Sequence, residues 1–278
     1  MKDENNDDYF EKQNPSILRS IGGLLTFSTI LPLNIYTTID EMARLTWFWP
    51  VLNGLIGLIA TIIAFILAKF IHFDPFLIAT IVYGFLLLIN GFNHFDGLMD
   101  FGDGVMAHGS PEKKLSIMKD PMTGVGGITT GFIVGTITIA AFNSLINYAY
   151  AVSFNFLLLI IVAEISAKIG LTTCCISSKA SEEGIGKYFI KYMNLKNYVV
   201  GLIICFIIAV ALSLSPGIHI GPLGIIGGAF GGALTALLAK KHLKIANGDV
   251  LGTSNELGRL FSLLAMLVLI SINFSHLI

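Results

Sequence analysis

Residues 47–71 read WFWPVLNGLIGLIATIIAFILAKFI, an apolar run carrying one charge, Lys69. An α-helix needs about 20 mostly apolar residues to cross a bilayer, and this run exceeds that length. Six further runs qualify: 76–91, 122–146, 154–176, 198–214, 222–239 and 257–278. The run 76–91 is short at its apolar core and is expected to extend into the polar stretch behind it. An eighth segment, 17–33, carries Arg19 and contains Pro32. It is expected to span, to lie in the interface or to re-enter. The fold class that follows is all-α: a polytopic integral membrane helical bundle of seven transmembrane helices plus this N-terminal segment. A mobile polar tail, 1–14, precedes a single membrane-embedded domain, 15–278.

Composition agrees. Of 278 residues, 54% are hydrophobic and only 13% charged, and the mean hydropathy is +0.79. That much apolar surface excludes disorder, and so little charge cannot cover a soluble globule, which carries about 25% charged residues. The formal net charge of −1 gives no field for nucleic acid. Cys174, Cys175 and Cys205 form an odd set in apolar surroundings, which argues against a disulfide framework. The N-terminus lacks the basic region of a secretory signal peptide.

The basic residues set the orientation. Arg44, Lys113, Lys114, Lys119, Lys179, Lys187, Lys191, Lys196, Lys240, Lys241, Lys244 and Arg259 fall in alternate connections, against Lys69 alone on the opposite side. By the positive-inside rule, the long polar connections are expected to face the cytoplasm of a cell-membrane protein. The connections 147–153 and 215–221 would face outward. Gly224, Gly228 and Gly232, flanked by Gly227 and Gly231, read as a surface for close helix packing.

The chemistry concentrates in residues 90–104, NGFNHFDGLMDFGDG. Asp96, Asp100 and Asp103 are spaced i, i+4, i+7 and share one helix face. Their mutual repulsion calls for protons or a divalent cation. Hard oxygen donors select Mg²⁺, Mn²⁺ or Ca²⁺ over Zn²⁺, and Mg²⁺ commonly joins carboxylates to substrate phosphates. His94 is a candidate general base. In 110–120, Leu115, Ile117 and Met118 suit an interfacial helix, and Lys113 or Lys119 suits phosphate. Gly124, Gly126 and Gly127 open the next helix, whose N-terminus is a candidate phosphate site. Before the last helix, Asp249, Asn255 and Glu256 gather where the chain enters the membrane, with Thr253 or Ser254 as its cap. Glu164 and Lys168 lie one turn apart inside an apolar helix and are expected to pair with each other. The segment 178–187 would place Glu182, Glu183 and Lys187 over the same site. Together these point to a membrane enzyme acting with a divalent metal on a phosphate-bearing substrate.

Three ordered motifs carry a family resemblance. His94-Phe-Asp-Gly-Leu-Met-Asp-Phe-Gly-Asp-Gly104 resembles the HLDGxxDxxDG segment of the cobalamin synthases, the adenosylcobinamide-GDP ribazoletransferases. Ile117-Met-Lys-Asp120 resembles their IMKDxxxGxxG stretch, and Gly248-Asp-Val-Leu-Gly-Thr-Ser-Asn-Glu-Leu257 is similar to GDVLGAxNEL. Phe27–Pro32 is similar to an early FxTRxP pattern, with Ile30 where that pattern has arginine. Lys168 stands at another position usually held by arginine and keeps the charge without the fork.

The resemblance implies that a ribose hydroxyl of α-ribazole or its 5′-phosphate attacks the cobinamide-side phosphorus of adenosylcobinamide-GDP and releases GMP. It implies Mg²⁺, with Mn²⁺ as an alternative ion. Asp96, Asp100 and Asp103 would hold the metal, and His94 or an aspartate would take the proton. Asn93, Lys119, Asp120, Lys168, Asp249, Asn255 and Glu256 form the expected substrate-binding set. Lipid is an expected partner and nucleic acid is not, while homo-oligomers and contacts with other corrinoid-pathway enzymes stay open. A CDP-alcohol phosphotransferase would need DGxxAR, where Met99-Asp100 stands. A prenyltransferase would need two NxxxDxxxD-like motifs, and a cation-coupled transporter would use the aspartates as its ion site.

Overall fold

The computed structural model describes residues 16–33, 35–214 and 219–274. The tail 1–14, much of the connection 215–221 and the chain end expected in the last helix lie outside the described residues. Among the described residues twelve α-helices follow in order: α1 Ile17–Ser28, α2 Ile39–Ala43, α3 Trp49–Ile66, α4 Pro75–Ile89, α5 Asn93–Met106, α6 Pro111–Met118, α7 Val125–Ala151, α8 Leu159–Ser177, α9 Gly186–Tyr192, α10 Leu195–Leu212, α11 Gly221–His242 and α12 Gly248–Phe274. A 3-10 turn, Thr46–Phe48, leads into α3, and a π turn, Leu67–Ile71, extends it. Among the described residues the only β pairing is a single parallel bridge, Ala180 to Ala246.

Among the described residues six helical stretches are long and apolar enough to cross a membrane: those at α3, α7, α8, α10, α11 and α12. The seventh expected span is bent rather than straight. Helix α4 does not run on into the polar stretch; α5 follows it after a 90° bend. Gly91 and Phe92 both adopt left-handed backbone there, at φ 61° each, which breaks the helix and turns the chain. Helix α5 therefore runs at a right angle to α4, and the two together are long and apolar enough to cross as a broken span or a re-entrant loop. Helix α1 has 12 residues, about 18 Å at the α-helical rise, and is too short to span ~30 Å of hydrocarbon. It folds back instead: Gly22 and Gly23 abut Ile35, Thr37 and Met42.

Helix α8 is the axis of the bundle. In its most apolar window 83% of residues are buried, against 17% for α10, so α8 is wrapped by protein and α10 faces outward. The glycine stripes on α11 explain the closest packing. A Cβ on Gly228 or Gly232 would stand 2.4 or 2.0 Å from the Ser166 and Gly170 carbonyl oxygens of α8. One on Gly227 or Gly231 would stand 2.4 or 2.6 Å from the Phe261 and Leu257 carbonyls of α12. The two stripes thus seat α11 on two helices at once, as small residues allow. Gly232→Leu is expected to split α8 from α11. The check is size-exclusion of detergent-solubilised protein: the variant loses the monodisperse peak that the wild type gives.

Two smaller expectations change. Helix α6 does not rest on lipid through Met118, which is 2% exposed and packs under Gly104. Helix α12 begins at Gly248, earlier than the apolar pattern indicated. Thr253 and Ser254 are therefore interior, and Asn247 caps the helix by accepting from the Val250 N–H at 3.1 Å.

Candidate functional site

The short elements α1, α2, α5, α6 and α9 gather at the lysine-rich end of the bundle. There the chain encloses a cleft of about 840 Å³. Seven of the residues expected to carry chemistry line it: Asn93, His94, Asp96, Lys119, Glu182, Glu183 and Asp249, while Lys187 does not.

Helix α5 is held in place by glycine contacts. A Cβ on Gly97 would meet the Asp249 Cα at 2.8 Å, so the backbones of α5 and α12 touch. Thr253 locks the contact by donating to the Gly97 carbonyl at 3.0 Å. This approach brings Asp249 beside the α5 carboxylates. Burial, and then the charges of Asp96, Asp249 and Asp103, push the Asp100 carboxyl up to about 6. Like charges crowded at a partly buried site favour a cation or a proton.

Asp103 has a different task from Asp96. Its two carboxylate oxygens accept from the Gly124 and Gly127 N–H groups at 2.7 and 2.8 Å. The α7 N-terminus offered above to phosphate is thus occupied by a side chain, where a carboxylate suits the helix dipole. A Cβ on Gly124 or Gly127 would fall 2.4 or 2.6 Å from that carboxylate, which accounts for both glycines.

Lys168 corrects the expected ion pair. Its Nζ lies 3.0 Å from His94 Nε2 and 4.5 Å from the centre of the Trp49 ring. Glu164, one turn earlier, is bound instead by Arg259: Nε to Oε1 at 2.5 Å and Nη2 to Oε2 at 3.2 Å. Arg259 also donates to Glu256 at 2.5 Å. Tyr83 donates its hydroxyl to Glu256 at 3.1 Å, and Asn53 donates to the Glu164 carbonyl and carboxylate. Arg259, counted above with the connections, is fully buried. The sequence pattern missed this network because its members come from α3, α4, α8 and α12.

The remaining candidates separate. Asn255 and Glu256 are buried in the bundle, with Asn255 donating to Glu256 at 3.1 Å, and neither lines the cleft. Asp120 is exposed and accepts from the Met122 N–H. Lys119 bridges to Glu183 at 2.7 Å, which joins the 178–186 segment to the end of α6 across the cleft wall. That hydrogen bond and charge hold the Glu183 carboxyl below the usual carboxylate range. Phe27, Trp49, Asn90 and Phe189 also line the cleft; sequence reasoning placed Asn90 and Phe27 only within longer motifs and did not single out Trp49 or Phe189.

Among the described residues no three His, Cys, Asp or Glu side chains converge closely enough to hold a metal unaided. Mg²⁺ does not require that, since it typically takes one or two carboxylates together with substrate phosphates and water. The all-oxygen pair Asp96 and Asp249 in the cleft wall, with Asp100 behind, fits such an ion.

Comparison with known proteins agrees with the motifs. The model of the cobalamin-5-phosphate synthase family matches residues 20–267. The adenosylcobinamide-GDP ribazoletransferase of Methanosarcina mazei is 31% identical over 266 residues, covering 89% of this chain and 91% of the relative. That of Methanococcoides burtonii is 32% identical over 240 residues, covering 84% and 85%. That of Methanosarcina barkeri is 30% identical over 260 residues, covering 89% and 91%. No solved structure matches the chain.

Proposed function

The chain belongs to the cobalamin synthase family, and from that premise we propose how its cleft carries out the transfer. It is a multi-pass membrane transferase of cobalamin synthesis. Its relatives' name gives the substrates, adenosylcobinamide-GDP and ribazole. In our reading a ribazole ribose hydroxyl attacks the cobinamide-side phosphorus. A new P–O bond forms, the P–O bond to GMP breaks, and the hydroxyl proton passes to a carboxylate.

The observation that supports this reading is the meeting of Asp96 and Asp249, from two helices, in one cleft with His94 and Lys119. When bound, Mg²⁺ would supply neutralisation of the pyrophosphate charge, the dominant requirement of phosphoryl transfer, and Asp96, Asp100 and Asp249 would hold it. An ammonium has only donors, so Lys168 engages the lone pair of His94 Nε2 and the ring proton sits on Nδ1. That leaves an aspartate of the cleft, rather than His94, to accept the hydroxyl proton. Lys119 exchanges Glu183 for a phosphate oxygen. The lysine-rich end faces the cytoplasm, in keeping with the positive-inside rule, where both soluble substrates reach it.

The test is direct. Protein reconstituted in lipid is incubated with adenosylcobinamide-GDP, α-ribazole and Mg²⁺, and the products are separated by chromatography. The expected result is GMP and cobamide in equal amounts. Absence of GMP refutes the proposal, and flux of substrate into sealed vesicles without GMP would identify a transporter.

A further inference from the structure

Phe27, Trp49 and Phe189, from α1, α3 and α9, form one aromatic cluster in the cleft wall. Their ring centres lie 5.2 Å (Phe27–Phe189), 5.0 Å (Trp49–Phe189) and 6.0 Å (Phe27–Trp49) apart. Lys168 stands over the Trp49 ring at 4.5 Å and reaches His94 at 3.0 Å. The aromatic wall therefore adjoins His94, two residues before Asp96. Trp49 is 3% exposed and Asn90 is 4% exposed. Trp49 Nε1, Asn90 Oδ1 and His94 Nδ1 are all buried without a hydrogen-bond partner, and all three belong to residues lining the cleft. Buried polar atoms are seldom left unpaired. All three are free to pair with the polar atoms of a ligand in the cleft.

We propose that this wall is the subsite for the benzimidazole-type base of ribazole, with its ribose beside Asn90 and His94 and its reacting hydroxyl toward Asp96 and Asp249. This rests on the transfer reaction proposed above. The chemistry discriminates between the two bases that the substrates bring. Guanine presents an amide N–H, an amino group and a carbonyl on its edges, and an apolar aromatic wall would leave them unpaired. A benzimidazole joined to ribose through one ring nitrogen offers a single further acceptor, and the indole N–H of Trp49 is a single donor. One face of the Trp49 ring is covered by Lys168 and Phe189 packs against it, so the indole contributes its edge. Phe27, 38% exposed, supplies the open face for stacking. The ribose hydroxyls donate to Asn90 Oδ1 and accept from His94 Nδ1.

Kinetics with both substrates test the assignment. Phe27→Ala is expected to raise the KM for α-ribazole about ten-fold, as loss of a stacking contact does. The KM for adenosylcobinamide-GDP should stay unchanged, and Phe27→Tyr should restore the wild-type value. A rise confined to adenosylcobinamide-GDP, or no change in either KM, overturns the proposal. Binding provides a second readout that needs no turnover. The chain has two tryptophans, so Trp47→Phe leaves Trp49 as the sole tryptophan, read by excitation at the red edge where tyrosine does not absorb. The proposal requires a saturable change with α-ribazole alone and none with GMP; a response to GMP only overturns it. A wild-type chain that releases no GMP but still gives the α-ribazole signal refutes the reaction and not the subsite.

Discussion

Replacing Arg259 by methionine should abolish turnover and lower the thermal midpoint of the solubilised protein by about 10 °C. Arg259 is fully buried and neutralises two carboxylates, Glu164 and Glu256, that are themselves 0% and 2% exposed. Removing one partner of a buried ion pair costs about 3–5 kcal/mol, because the charge left behind has no water to return to. Total stabilities are only about 5–15 kcal/mol. The loss also reaches the cleft. With Arg259 gone, the cation nearest to Glu164 along its own helix is Lys168, one turn away, and a Lys168 drawn to Glu164 leaves His94. Adding Glu164→Gln and Glu256→Gln to Arg259→Met removes the stranded charges. This triple variant is expected to recover most of the thermal midpoint, since neutral replacement of a whole buried cluster is often tolerated. A single variant that melts with the wild type would show that the network is not needed for the fold.

Asp96→Asn and Asp249→Asn are each expected to cut Mg²⁺-dependent GMP release about 10³-fold, the scale on which one electrostatic contact to a developing charge is felt. Both residues line the cleft, so the exchange removes charge without opening a cavity and should leave the size-exclusion profile unchanged. Asp103→Asn should behave differently. Asp103 is bonded to the α7 N-terminus, so its loss appears first in stability. Comparing kcat with melting temperature across the three variants separates cleft carboxylates from a capping carboxylate.

The spans were legible because long apolar runs have few other uses. The glycine stripes of α11 were legible as packing surfaces for the same reason. The bend between α4 and α5 was half legible: Gly91 permits positive φ, but Phe92 adopts it too, and nothing in a phenylalanine announces that. Glu164 and Lys168 suggested an intrahelical pair because helical spacing sees only its own helix. Arg259 arrives from α12, and its burial was hidden because the polar opening of α12 reads as a loop. Those polar turns are helical because α5 packs on them through Gly97 and Thr253. The carboxylate trio on α5 was visible from spacing, yet Asp249 beside it and Asp103 turned to α7 are tertiary facts. Trp49 and Phe189 escaped notice, and Phe27 was legible only as the head of a motif, because aromatic residues in apolar runs look alike whether they meet lipid, core or ligand.

If Asp96 and Asp249 form the ion and phosphate site of the cleft, divalent metal binding depends on both carboxylates. Mn²⁺ bound to the lipid-reconstituted chain, counted by electron paramagnetic resonance in the presence of adenosylcobinamide-GDP, tests it most directly. The wild type should hold Mn²⁺ that Mg²⁺ displaces, and the Asp96→Asn/Asp249→Asn double variant should hold none at the same concentration. Equal Mn²⁺ binding by the two proteins would contradict the claim.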